Sequence, residues 1–133
     1  MEANCTREVI ELHQFFEDWF KGSLADTDEN YGRLTAVIDP TFHIISPEGT
    51  MMDYASLMAG LRQGHGSRPD FRLWVEKVAV RPLSPTLALV TYEEWQEIKG
   101  EVNARMSTAV FRQAPNTPNN VQWLHVHETW LNT

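Results

Sequence analysis

The stretch Trp123-Leu124-His125-Val126-His127-Glu128-Thr129-Trp130-Leu131 decides the fold. Read with a period of two, it sets Trp123, His125, His127 and Thr129 on one face and Leu124, Val126 and Trp130 on the other, the pattern of a sheet strand buried on at least one side. Three more runs of that period precede it: Asp70 to Arg81, Leu87 to Lys99 and Val102 to Arg112. They are separated by Pro82-Leu83-Ser84-Pro85, by Gly100 and by the Pro/Asn-rich segment Ala114 to Asn120, so four long strands with short connections form an antiparallel meander.

Upstream the period is 3.6. Val9, Leu12, His13, Phe16, Trp19, Phe20 and Leu24 recur at three- and four-residue steps, which predicts a helix over about Thr6 to Lys21, capped by Asn4 or Thr6 and ended by Gly22. A second helix fits Glu29 to about Val37 and must stop before Pro40. Thr41 to Ser46 alternates as a short strand, and Ser46-Pro47-Glu48-Gly49 has the composition of a type I turn. Asp53 then caps a third helix, Tyr54 to Gln63, and Gly64 to Pro69 is a loop. Helices first and sheet second make an α+β domain spanning residues 1–133.

The turn at Lys99-Gly100 or Gly100-Glu101 is short enough to fix register. Tyr92, Glu94 and Gln96 share a face with Arg105, Ser107 and Ala109. The opposite, oily face holds Leu87, Leu89, Trp95, Met106 and Val110, with Leu124, Val126 and Trp130 added if the last strand is in step.

Composition narrows the partners. Eighteen acidic against eleven basic residues give a net charge of −7 with no Lys/Arg run, which argues against nucleic acid. No apolar run approaches the roughly 20 residues of a membrane span, and the start lacks a secretory signal, so the expected location is cytoplasmic. Cys5 is a single thiol, and there is no zinc spacing, phosphate loop or dinucleotide fingerprint, so no cofactor is expected.

His125 and His127, two apart on one strand, have a spacing that metal sites use, with His43, Glu94 or Asp53 as possible third ligands, but they read better as polar lining of a cavity or interface, without metal. Arg105 either grips an anion or pairs with Glu94 or Glu97 across the hairpin. Asp53, Glu93 and Glu94 qualify as general bases only if a pocket desolvates them. His13 reads as structural and His65 as solvent-exposed.

The order of elements resembles the nuclear transport factor 2-like superfamily. Phe42-His43-Ile44-Ile45-Ser46-Pro47-Glu48-Gly49, Arg105-Met106-Ser107-Thr108-Ala109-Val110-Phe111 and the terminal His-x-His-x-Thr are similar to its SnoaL-like members, relatives of the calcium/calmodulin-dependent kinase association domain. Val121 departs from that pattern, standing where relatives commonly carry Trp. The resemblance implies a cone, in which a curved, mainly antiparallel sheet wraps three helices, a homodimer packed through sheet surfaces, and a pocket at the cone's open end. The expected function is binding of a small-molecule ligand by Trp19, His43, Tyr92, Arg105, His125 and His127. The alternatives are an isomerase- or dehydratase-type enzyme with a His or carboxylate base, and a homo-oligomeric assembly module.

Overall fold

A computed structural model describes residues 1–132. Three helices, α1 (Glu2–Lys21), α2 (Asp28–Thr35) and α3 (Tyr54–Gln63), accompany six strands: β1 (Ile38–Ile45), β2 (Met51–Asp53), β3 (Arg72–Pro82), β4 (Leu87–Ile98), β5 (Glu101–Gln113) and β6 (Val121–Trp130). The strands form one sheet in the order β2-β1-β6-β5-β4-β3. All neighbours are antiparallel except β1 and β6, which run parallel. The α+β architecture expected from the periodicity is therefore present, with the sheet mixed at one place.

Burial, not capping, sets the start of α1. Met1 stands at the N-cap with no side-chain hydrogen bond, and Asn4 and Thr6 lie inside the helix. Cys5 is fully buried and Met1 packs on the core, so tertiary contacts stabilise a first turn that propensity alone leaves marginal. At the other end Gly22 takes φ 80° and donates to the carbonyls of Asp18 and Trp19, as a glycine stop requires. Thr27 caps α2, accepting from the Asn30 amide, and Asp53 caps α3, accepting from that of Ser56 at 2.9 Å.

β1 begins at Ile38, earlier than the alternation from Thr41 suggests, and carries Pro40 inside it. The β1–β6 register is irregular between Ile38 and His43, so the missing N–H of Pro40 falls where the ladder is already broken. The β1–β2 hairpin has the expected turn, with the Gly49 amide donating to the Ser46 carbonyl at 2.9 Å.

The β4–β5 hairpin turns on Lys99 and Gly100, whose φ values of 52° and 80° are those of a two-residue turn matched to strand twist. Tyr92 opposes Ser107 and Glu94 opposes Arg105, as the turn length dictates. The mixed face is the one turned toward the helices: Ala88, Val90, Tyr92, Ala109 and Phe111 are buried there against Val9, Leu12 and Trp19 of the same core.

β6 does not continue the alternation drawn from its sequence. Val110 pairs with His125 but Phe111 pairs with Trp123, so Leu124 is the extra residue of a bulge. Val126, opposite Ala109, and Glu128, opposite Ser107, therefore belong to the inner face, while His125 and His127 share the outer face with Val110 and Thr108. Val126 thus leaves the oily face on which an in-step last strand would put it, and the two histidines, whose face the Ala114 to Asn120 loop leaves open, fall on the outer one. Trp130, opposite Arg105, also leaves the oily face.

Candidate functional site

Between α1, α3 and the inner sheet face lies a cavity of about 230 Å³. Leu12, Phe16 and Phe20 of α1, Leu57 and Leu61 of α3, Phe42 and Ile44 of β1, and Trp123 and Val126 of β6 form most of its wall. The polar lining consists of His13, Tyr92, Glu94, Gln96 and Glu128, with Arg68 added from the loop after α3.

These groups meet because two periodicities coincide. His13 lies on the α1 stripe with Val9 and Leu12, and the period-two face of β4 delivers Tyr92, Glu94 and Gln96 beneath it. His13 is 3 % exposed. Its Nδ1 lies 2.7 Å from the Val9 carbonyl and its Nε2 2.9 Å from Glu94 Oε1. A carbonyl only accepts, so Nδ1 carries a proton; an ionised carboxylate also only accepts, so the pair is an imidazolium and a carboxylate. Burial pushes the His13 imidazolium toward neutrality, but the Glu94 hydrogen bond and charge, with the Val9 carbonyl, outweigh it and hold the pKa above the usual histidine value. Burial likewise disfavours ionised Glu94, yet the hydrogen bond and charge of His13, the nearby Arg105 and the Gln96 amide at 2.7 Å pull its pKa well below the ordinary range.

Glu128 is the counterweight. Its carboxyl is 8 % exposed, and burial followed by the negative charge of Glu94 pushes its pKa up to about 7. Arg105 opposes this from between the two acids, with Nη1 3.4 Å from Glu128 Oε1 and Nε 3.7 Å from Glu94 Oε2. That Nε is buried without a hydrogen-bond partner among the described residues, so the polar side of the site retains donor capacity. Burial, then the charges of Glu94 and Glu128, hold the Tyr92 hydroxyl protonated well above its normal pKa. Glu94 on β4 and Glu128 on β6 thus flank β5 with their pKa values pushed apart, the one ionised and the other raised to about 7, as in paired acid and base groups.

Residues 5–132 match the family model described as the sucrose-6-phosphate phosphohydrolase C-terminal domain. The chain belongs to that family. Relatives include sucrose-phosphatase 1 of Nicotiana tabacum, 30% identical over 128 residues, and sucrose-phosphatase 2 of the same plant, 29% identical over 129. These matches cover 93% and 94% of the chain but only 30% of each relative's length. Among solved structures, an NTF-2 like protein of unknown function from Pseudomonas aeruginosa superposes with a TM-score of 0.86 at 23% identity, covering 97% of this chain and 99% of that one. An S. rosetta CaMKII hub superposes with a TM-score of 0.65 at 15% identity, covering 80% and 84%. The fold of this family member is thus nuclear transport factor 2-like, as its order of elements indicates.

In this sucrose-phosphatase C-terminal family member, the six residues expected around one pocket are dispersed. Tyr92 is on the cavity wall. Arg105 stands behind it, paired with Glu94 as one reading of the hairpin expects, and with Glu128 as well. Trp19 is 1 % exposed in the core, where its indole N–H donates to the Leu61 carbonyl at 2.9 Å and so ties α1 to α3 instead of facing the cavity. His43, His125 and His127 lie on the outer face, His43 paired across the strands with His125, and do not line the cavity. Burial, then the neighbouring His127 and His43, push the His125 pKa down. Among the described residues, no group of three or more His, Cys, Asp or Glu is placed to hold a metal. His65, expected in solvent, instead bonds the Leu24 carbonyl at 2.6 Å with its ring edge-on to Trp19. Asp53 is a helix cap outside the cavity, and Glu93 bonds the Trp95 indole at 3.1 Å, so of the three acids weighed as bases only Glu94 reaches the cavity wall. Sequence spacing pointed to neither His13 nor Glu128 as members of the site.

Proposed function

We propose that the cavity binds a small, mostly apolar molecule and sets its polar end against His13, Glu94, Tyr92 and Glu128. The observation that supports this is a largely apolar cavity with a cluster of titratable groups, His13, Tyr92, Glu94 and Glu128, in its lining, the usual composition of a small-molecule site. A cavity of roughly 150 Å³ holds benzene. The 230 Å³ here suits a body of bicyclic size. Sucrose 6-phosphate, the substrate that the family's description names, is a poor occupant: hydroxyls cover a disaccharide phosphate, and each one buried without a partner is costly.

The neutral probe 2-naphthol tests the reading. By calorimetry it is expected to bind with a Kd on the order of 100 μM, reasonable for a ligand of its size. Leu57→Phe adds bulk on the cavity wall from a half-buried position of α3 and should weaken binding at least tenfold. Equal affinity in the two proteins rejects the cavity as the site.

The position of Glu128 favours a second reading, proton transfer next to a carbonyl. On that reading the protein accelerates exchange of the α-protons of 2-tetralone in deuterium oxide, and Glu128→Gln slows the exchange about a hundredfold or more. Exchange at the buffer rate, with the ketone bound, leaves binding alone.

A further inference from the structure

The cavity rim carries a cation that the rest of the described chain does not neutralise. Arg68 lines the cavity from the loop between α3 and β3, with its guanidinium carbon 5.0 Å from the Phe20 ring centroid and 5.1 Å from that of Phe71, both of which also line it. The loop is pinned to the end of α1: the Gly66 amide donates to the Trp19 carbonyl at 3.1 Å and the Arg68 amide to that of Phe20 at 2.9 Å. At the loop's start Gly64 is pressed on Phe20, where a Cβ would stand 2.4 Å from the ring. Arg68 is thereby held in place without any acid. Arg62 has Asp26 and Asp28, and Arg105 has Glu94 and Glu128, but no carboxylate among the described residues lies within ion-pair distance of Arg68.

A guanidinium held beside aromatic rings bonds none of its N–H donors to them, so those of Arg68 are left for a planar two-oxygen acceptor. From His13 to Phe20 is seven residues, about 10 Å along the helix. A ligand anchored beside Phe20 can therefore extend through the apolar wall to the His13 and Glu94 pair.

We propose that the natural ligand is an amphipathic monocarboxylate whose carboxylate takes paired N–H bonds from Arg68 while its apolar body, of about ten non-hydrogen atoms, fills the cavity and carries a neutral polar group at its far end to the His13 and Glu94 cluster. This rests on the ligand-binding reading of the cavity. A single negative charge is specified because the protein carries a net charge of −7 and the far wall holds Glu94 and Glu128, both unfavourable to a dianion.

The test is calorimetry of the whole chain with 2-naphthylacetate and its neutral isostere 2-naphthylacetamide. The acid should bind at least tenfold tighter than the amide. Arg68→Gln should bring the acid to within about twofold of the amide while leaving amide binding in place, which also reports that the variant is folded. Arg68→Lys keeps the charge but not the two-pronged geometry and should retain only part of the preference. If the acid and amide bind alike, or the preference survives in R68Q, the carboxylate assignment is overturned and the cavity reading stands. If neither compound binds the unaltered protein, the cavity reading falls as well.

Discussion

Glu8→Ala is expected to cost about 3–5 kcal/mol of folding stability, the range for removing one partner of a buried charge network. Glu8 is fully buried in the first half of α1. Its carboxylate accepts two N–H bonds from Arg33 at 2.9 and 3.2 Å, one from Asn119 at 3.0 Å and one from the Trp123 indole at 3.0 Å. One side chain thus joins α1 to α2, to the loop before β6 and to β6 itself. Alanine leaves the Trp123 indole N–H buried without an acceptor and takes from Arg33 and Asn119 their buried partner, leaving them only the half-exposed Glu11. Against a usual total stability of about 5–15 kcal/mol, the loss is roughly a fifth or more. Glu11 sets the scale: it reaches the same Asn119 and Arg33, but it is half-exposed, and Glu11→Ala should cost less than about 1 kcal/mol. Urea unfolding of the two variants checks this, and a Glu8→Ala midpoint close to that of wild type would contradict the network's role.

The second large effect is on the pH dependence of stability. Glu128 has its folded pKa raised to about 7 from 4.5, so the stability it contributes is fully present below 4.5 and is lost as pH rises toward 7, because the unfolded chain releases its proton first. Between pH 5 and 7 the loss is on the order of 2–3 kcal/mol. His13, also raised, adds a further loss above 6.5. Glu94 and Asp39 are depressed, and their contributions disappear on the acid side, below the usual carboxylate range. His125, lowered, works against Glu128 as pH rises to 6.5, but its side chain is only partly buried and the effect is smaller. Stability should therefore be greatest near pH 5 and decline through neutrality. Glu128→Gln should flatten the decline between pH 5 and 7 while leaving the one above 6.5. Thermal or urea unfolding across pH 4–8 reads it, and the same slope in both proteins would place Glu128 in solvent.

Much of the fold is legible in the sequence because its signals are local. Gly22, Asp53 and the Pro47–Gly49 turn act through neighbours a few residues away, and the Lys99–Gly100 turn sets Tyr92, Glu94, Ser107 and Arg105 on one face through pleat geometry alone. The site is less legible because its decisive contacts are not local. His13 and Glu94 are 81 residues apart, and a histidine on an apolar helix stripe looks the same with or without a carboxylate opposite it. The two histidines of β6 enter the expected pocket through the family resemblance, since the seven-residue connection before them fixes no register, and the extra residue Leu124 reverses the face of part of the strand. Trp19 carries the aromatic mass expected of a pocket wall, but its N–H needs an acceptor when buried, and the Leu61 carbonyl supplies one inside the core.

The cavity is the centre of the account, and methyl-resolved NMR during titration with 2-naphthol tests it most directly. The methyls of Leu12, Ile44, Leu57 and Val126, all on the wall, should shift together and saturate with one affinity, while those of Leu89 and Val110 on the outer face stay still. Shifts confined to the outer-face methyls, or no saturating shift at all, would contradict it.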